Sequence, residues 1–468
     1  MQNVLQPLPE RRCLPLSDFL AALFQAIAEE GVRFCVLRNY EGFPDRNVGS
    51  DVDLLICPSD LRRVVRALSL VCGIKIVGYV ERHYVAHLFV EGVSPAPGIR
   101  ALGVDFIWNL NWKGISFLKT DTVLQEAIPR QAGNLNFLVP SANHEAIISL
   151  LSSLLVGGWV KEKYFPKVQE TFACSRSETI AALLPAFGQI NAMRLVDSAI
   201  GGDRGKMRGC VKSLRISLIL RFFARRPLRG VIGVARYYTR ELAVRCTPET
   251  IESVRISGPD GCRKTTIIDG LIPLLRYSAK TVERRHLWRQ LMSGREPLEG
   301  STSADLDSEL RGGYSVSLAR VVLWLLEERL SQFKKKDNLT LHIIDDCSYD
   351  PLIDARRCSD RTQGWFARLA VRLFPSPDLW VLLDPTVGGL QFGDGEVPTA
   401  AALRQLEAYR CFIKTRKRFV IVDDSQPADS VIEHVYAAIV NVLAQRAESK
   451  LGKRFSHFIT DDKREAAH

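Results

Sequence analysis

The sequence predicts a two-part α/β protein joined by a basic helical connector, and three observations predict it. From about residue 254 to 446, apolar strand-like runs alternate with helical periods, as in a parallel sheet covered by helices. Near the amino terminus, Asp51 and Asp53 stand at alternate positions of an apolar run, after a Gly/Pro/Asp/Asn-rich loop. At 468 residues the chain exceeds one typical domain. The expected division is a first domain at 1–142, a helical extension and basic linker at 143–250, a second α/β domain at 251–450 and a tail at 451–468.

Apolar residues make up 46% of the chain and charged ones 25%, values of a globular protein rather than a disordered one. The 11 cysteines are scattered with no CxxC pair, which excludes zinc-ribbon and thioredoxin readings and fits free thiols in a reducing cytosol. No charged segment followed by an apolar core opens the chain, so no secretory signal is expected. The longest uncharged stretch, 146–160, is too short to span a bilayer. A cytoplasmic protein is expected. The net charge of +11 is local: between Arg204 and Arg245 lie 12 Lys/Arg against Glu241 alone, and the remaining 51 basic and 51 acidic residues cancel. That distribution argues against a nucleic-acid partner along the whole chain.

In order, a short buried strand is expected at 33–39 and a second from Asp51 to Cys57. Ser59 is placed to cap a helix through 61–70. Strands follow at 74–80, 83–90 and 101–108, then helices from about 143 to 187 and through 208–245, with a break near Pro227 and Gly230. The second unit starts with a strand at 254–257, a glycine loop and a helix to about 276. It continues with a helix at 316–333, a strand at 341–344, a helix at 363–373, a strand at 379–383, a helix at 400–415, a strand at 418–422 and a helix at 428–446. The tail after Lys450 is expected to be loosely attached.

The segment Gly258-Pro259-Asp260-Gly261-Cys262-Arg263-Lys264-Thr265-Thr266 nearly matches GxxxxGK[ST]. Small residues let backbone N–H groups wrap phosphates, Lys264 reaches the outer oxygens, and the Thr265 hydroxyl holds Mg²⁺. The helix that follows adds its positive end. Arg263 stands where the motif has its second glycine. It is expected either to strain the backbone in a left-handed conformation and crowd the phosphates, or to lend them a second positive charge.

Residues 254–446 resemble the bacterial thymidylate-kinase-like P-loop domains associated with polysaccharide biosynthesis. The resemblance rests on Gly258-Pro-Asp260-Gly, Asp345-Asp-Cys-Ser-Tyr349-Asp350, Leu352-Ile-Asp354-Ala-Arg356-Arg357, and Pro375-Ser-Pro-Asp378-Leu-Trp-Val-Leu-Leu-Asp384. Arg404-Gln405-Leu-Glu-Ala-Tyr409 and Val422-Asp423-Asp-Ser425 continue it. It implies a P-loop NTPase fold of the nucleoside monophosphate kinase type, with ATP·Mg²⁺ on Lys264 and Thr265. Asp260 would touch the acceptor, Asp345 would support metal or acceptor, and Arg356 and Arg357 would be basic groups nearby. Gly258, Gly261, Arg263 and Thr266 complete the implied cofactor set. Three departures weaken catalysis by this scheme: Arg263 itself, Asp346 in place of an arginine, and the uncharged 388–392 where lid arginines are expected, since phosphoryl transfer relies on Lys, Arg and Mg²⁺.

Strand alternation puts Asp51 and Asp53 on one face. Two such carboxylates can grip Mg²⁺ ions that align an attacking hydroxyl with a nucleotide α-phosphate, and Gly49-Ser50 offers backbone N–H groups to the outer phosphates. Asp105, in Gly103-Val-Asp-Phe-Ile-Trp108, is the candidate third acid. The run Leu37-Arg-Asn-Tyr-Glu-Gly-Phe-Pro44 with Gly49-Ser-Asp-Val-Asp53 resembles nucleotidyltransferase-like domains, and implies such an α+β fold over about 33–110.

In 208–245, arginines interleave with Leu214, Ile216, Leu218, Phe222, Phe223, Tyr237 and Tyr238. A structural linker and a peripheral contact with an anionic membrane are the two readings. His83 and His87 lack a metal-like pattern and read as core or surface residues, and Arg284–Arg289 as an acceptor-side basic cluster or a solvated charge run. The leading functional expectation is an ATP-binding phosphotransferase acting on a nucleotide or saccharide intermediate. The alternatives are a nucleotidyltransferase at Asp51, Asp53 and Asp105 with the second unit as scaffold, and a non-catalytic membrane-peripheral assembly protein.

Overall fold

The computed structural model describes residues 13–47, 51–246, 252–259, 262–286, 340–345, 377–385 and 400–455. The helices expected at 316–333 and 363–373 lie outside them. Contacts divide the chain into two compact units, one of 12–247 with 444–468, the other of 1–11 with 248–443.

The first unit opens with β1 (Leu14–Pro15), α1 (Leu16–Glu29), β2 (Cys35–Val36), β3 (Asp51–Leu55) and α2 (Leu61–Leu70). Then come β4 (Lys75–Glu81), β5 (Val85–Glu91), β6 (Val93–Ser94), β7 (Ala101–Ile107), β8 (Leu110–Trp112), β9 (Ile115–Leu118), α3 (Thr120–Gln125), β10 (Ile128–Ala132) and β11 (Leu135–Val139). Its helical part is α4 (Ala142–Gly157), α5 (Phe165–Cys174), α6 (Arg176–Ile200), α7 (Arg204–Arg225) and α8 (Pro227–Cys246).

A five-stranded mixed sheet has the order β2-β3-β7-β5-β4. β3 and β7 run parallel, while β2 pairs antiparallel with β3 and β5 antiparallel with both β7 and β4. Period-two alternation sorts its faces. Val52, Leu54, Val104, Phe106, Ala86, Leu88 and Val90 join Leu20, Leu23, Val64 and Leu68 of α1 and α2 in one core. Leu55, Cys35 and Leu37 enter a second core with α4–α7, through residues such as Leu151, Phe172, Leu195 and Leu214. The segment expected as a helical extension thus shares a core with the sheet. The uncharged run at 146–160 falls largely in α4, an internal helix whose amino end is capped by Ser141 Oγ accepting from the His144 N–H at 3.4 Å. Among the described residues α6 alone is long and apolar enough to cross a membrane. It holds Pro185, breaks at Gly188 (φ 75°) and buries Leu183, Phe187, Leu195 and Val196 in that core.

Several local expectations are corrected. The strand expected at 33–39 shrinks to β2, and the chain turns at Asn39, whose φ of 63° is left-handed. Ser59 does not cap α2: a turn at Pro58–Asp60 leads in, and no side chain bonds the first N–H groups. The break at Arg226–Pro227 is present, but Gly230 continues inside α8.

The second unit contains β12 (Glu252–Ser257), α9 (Lys264–Leu274), β13 (Thr281–His286), β14 (Thr340–Asp345), β15 (Leu379–Asp384), α10 (Ala400–Ile413), β16 (Phe419–Asp423) and α11 (Ala428–Arg454). All pairings of its five-stranded sheet are parallel, in the order β13-β14-β12-β15-β16. β14, β15 and β16 read as largely apolar runs, as expected of strands in parallel sheets covered by helices. By the contact division, α11 belongs to this unit up to Leu443 and to the first from Ala444. The tail is not loose at its start: α11 continues to Arg454, which pairs with Glu81 at 2.7 Å, and Leu451 and Phe455 pack against the first core. Residues 456–468 lie outside the described set.

Candidate functional site

Strand register builds a carboxylate cluster in the first unit. Across the sheet, Asp53 of β3 stands opposite Asp105 of β7, which stands opposite His87 of β5. Cross-strand partners share a face, so one row carries Asp53, Asp105 and His87, with Asp51 two residues before Asp53 on that face. Ligand oxygens of Asp51, Asp53 and Asp105 lie within 4.8 Å of one another. His87 Nδ1 lies 2.8 Å from Asp105 Oδ1. His87 is therefore not a bystander. Its signal was an alternating position in a strand, visible only once pairing is known.

Asp53 is the electrostatic centre. It is 1% exposed, Arg38 Nε bonds its Oδ2, and its Oδ1 is buried with no hydrogen-bond partner. Burial pushes its carboxyl up to about 6, helped by the charges of Asp51 and Asp105 and opposed by Arg38. A buried, unsatisfied carboxylate oxygen costs several kcal/mol unless something else supplies positive charge (about 3–5 for an uncompensated member of a pair). All three acids offer hard oxygen ligands, so the set fits Mg²⁺ or Mn²⁺ rather than a soft metal.

Basic groups reach the same place from far along the chain. Lys161, between α4 and α5, is half-buried; burial and the nearby Arg38 and Lys163 hold its ammonium below the usual lysine range, against the attraction of Asp53 and Asp51. Asn39 fixes this loop, its Oδ1 accepting from Tyr164 Oη at 2.9 Å and Lys163 Nζ at 3.2 Å. Asn tolerates the left-handed backbone there, with its short polar side chain. None of Lys161, Lys163 and Tyr164 was singled out from the sequence, since they lie more than 100 residues from Asp53. Gly49 and Ser50 lie outside the described residues.

The second candidate lies at the carboxyl ends of the parallel strands. Gly258 follows β12, and a Cβ there would fall 2.5 Å from Cys262 Sγ and 3.0 Å from Leu383 O, so a side chain there would force both neighbours to shift. Arg263 corrects the expectation of a strained backbone. Its φ is −67°, with no left-handed strain. Its guanidinium turns to the loop after β16, donating to Asp424 O, to Asp424 Oδ1 at 3.2 Å and to Gln426 O at 2.6 Å. Burial raises the Asp424 carboxyl above its ordinary range, against the pull of Arg263. Lys264 Nζ donates to Gly258 O at 2.8 Å and Pro259 O at 3.0 Å, while Thr265 and Thr266 open α9 on its exposed side.

The strand-end acids are partnered as well. Arg284 Nη2 bonds Asp345, and Nη1 bonds Asp269 at 2.8 Å, so this part of the basic cluster is not a solvated run. Arg410 holds Asp384 through two bonds of 2.6 and 2.8 Å. Ser425 folds back on Asp423, Oγ to Oδ1 at 2.6 Å. Asp260, Gly261, Asp346, Arg356, Arg357 and 388–392 lie outside the described residues. The chain was compared with protein-family models and with curated proteins, and neither comparison found a match.

Proposed function

We propose that the first unit is a divalent-cation-dependent nucleotidyltransferase-like centre, with Asp51, Asp53 and Asp105 as its metal ligands. The observation that carries this reading is the carboxylate cluster with one oxygen of Asp53 buried and unpartnered. Acids drawn this close repel one another, and a bound cation turns that repulsion into coordination. When bound, Mg²⁺ or Mn²⁺ supplies charge neutralisation at an α-phosphate and lowers the cost of deprotonating an acceptor hydroxyl. In this reading Asp105 is oriented by His87, and Arg38 and Lys161 bind phosphate oxygens, Arg38 exchanging its carboxylate partner for the nucleotide. Pyrophosphate release from a nucleoside triphosphate panel with Mg²⁺ or Mn²⁺ tests it. Asp53→Asn is expected to lower release by roughly 100-fold or more; release unchanged in that variant would overturn the reading.

The phosphotransferase reading remains a second proposal, favoured by one further observation. The strand order puts the glycine loop after the central strand β12, between β14 of one half of the sheet and β15 of the other, the usual ligand position in open α/β sheets. There Lys264 would leave the carbonyls of Gly258 and Pro259 for nucleotide phosphates, and the second unit would bind ATP in the manner of thymidylate-kinase-like domains. Lys264→Ala is expected to weaken ATP binding, read by calorimetry, by about tenfold or more. Equal affinity in wild type and variant would remove this reading and leave the first intact.

A further inference from the structure

Helix α8 is inside out for a surface helix. Leu228, Val231, Ile232, Ala235, Tyr238 and Leu242 recur at helical spacing and form one stripe, and that stripe faces outward: Leu228 is 79% exposed, Val231 58% and Leu242 61%. The opposite face carries Gly230, Gly233, Val234, Tyr237, Glu241 and Val244, and this face makes the contacts with the unit. Gly233 approaches Gly114 so closely that a Cβ on Gly114 would lie 2.4 Å from Gly233 O. Glu241 pairs with Arg82 at 2.9 Å, Arg240 with Glu81 at 3.2 Å, and the Tyr237 ring meets His83 edge-on. Ordinary amphipathic packing would put the stripe inward, so these contacts hold it outward. Helix α7 likewise exposes Ile216 and Leu220.

Positive charge is concentrated in the same two helices. The whole excess of the chain lies in 204–245, and Lys206, Arg208, Lys212, Arg225, Arg226 and Arg236 are exposed. We propose that α7 and α8 form a docking surface for an anionic lipid bilayer, the stripe of α8 entering the boundary between headgroups and acyl chains and the basic groups meeting lipid phosphates. A symmetric contact between two copies fits less well, because it would set the same basic segment against itself. Single-stranded nucleic acid fits less well too, since stacking needs several aromatic rings and the stripe offers Tyr238 among aliphatic side chains. The proposal stands apart from the reaction assigned to either unit.

Flotation of the full chain with vesicles tests it, comparing phosphatidylcholine alone with phosphatidylcholine containing about 30% phosphatidylglycerol, at low and high salt. Binding to the anionic vesicles at low salt, little to the neutral ones, is expected. The triple variant Leu228→Gln/Val231→Gln/Leu242→Gln should bind about tenfold less or weaker, as should Arg226→Gln/Arg236→Gln. These side chains are exposed, so an unchanged thermal transition is the control. Hydrogen exchange on the unaltered chain gives a readout free of mutation, with vesicle-dependent protection expected in α8. Absent flotation, equal binding to neutral vesicles, binding unaffected by the triple variant, or unprotected α8 would each overturn the proposal. So would self-association or oligonucleotide binding that the triple variant abolishes while vesicles are ignored.

Discussion

The acid cluster of the first unit and the glycine loop of the second treat their charges in opposite ways. Around Asp53, carboxylates are gathered faster than the protein neutralises them. Arg38 and His87 answer two oxygens, and Asp53 Oδ1 stays buried without a partner. Around the glycine loop, Arg263 is held by Asp424, Asp345 by Arg284 and Asp384 by Arg410. One site keeps a buried carboxylate oxygen without a hydrogen-bond partner, and the other has its charges joined in pairs. In the proposed reading a small cation would complete the first directly, whereas a phosphate at the second would have to compete with partners already in place.

The sharpest way to break this comparison is Arg263→Gly, which restores the P-loop pattern. If Arg263 serves the fold, removing it strands Asp424, which is 0% exposed, and should destabilise the second unit by about 3 kcal/mol. Urea unfolding followed by a probe in that unit reads this, and Asp424→Asn in the same chain should recover part of the loss. A variant as stable as wild type, with tighter ATP binding, would show that Arg263 obstructs the loop without supporting it.

Next in size is His87→Ala. With its hold on Asp105 gone, Mn²⁺ affinity measured by calorimetry should fall roughly thirtyfold, within the range for groups that orient metal ligands. His87→Gln, which keeps a hydrogen-bonding side chain, should restore part of it. Unchanged Mn²⁺ affinity in His87→Ala would reduce the cross-strand row to the three acids.

The smallest expected effect is the pH response. With Asp53 titrating at about 6 in the fold, it is ionised at pH 7 and largely protonated at pH 5, so metal affinity should drop by about tenfold between them. Stability without metal runs the opposite way. A carboxyl whose folded value lies above its unfolded value penalises the fold above pH 6, and that penalty is relieved as pH falls toward 4. Asp53→Asn should flatten both responses; a slope that persists there assigns the titration to another group.

Much of the parallel second unit was legible because β14, β15 and β16 are largely apolar and its helices periodic, so the expected runs at 379–383 and 418–422 coincide closely with β15 and β16. In the first unit, β3, β5 and β7 lie near their expected positions. Helix α1, the hairpins β8–β9 and β10–β11 and the charged strand β13 were not foreseen. In the candidate site, Asp51, Asp53 and Asp105 were expected together, while His87 and Lys161 were not.

By itself the sequence determined what is periodic and local. Alternation set Asp51 and Asp53 on one strand face, spacing set the apolar stripe of α8, and glycine at 258 set where a backbone can pass close to its neighbours. Only the tertiary structure decided what meets across the chain: that Asp105 and His87 fall in register with Asp53, that Lys161 arrives beside them, that Arg263 turns to Asp424, and that the α8 stripe faces out. Periodicity is a property of neighbouring residues, whereas register and partner choice depend on which distant segments win the competition to pack.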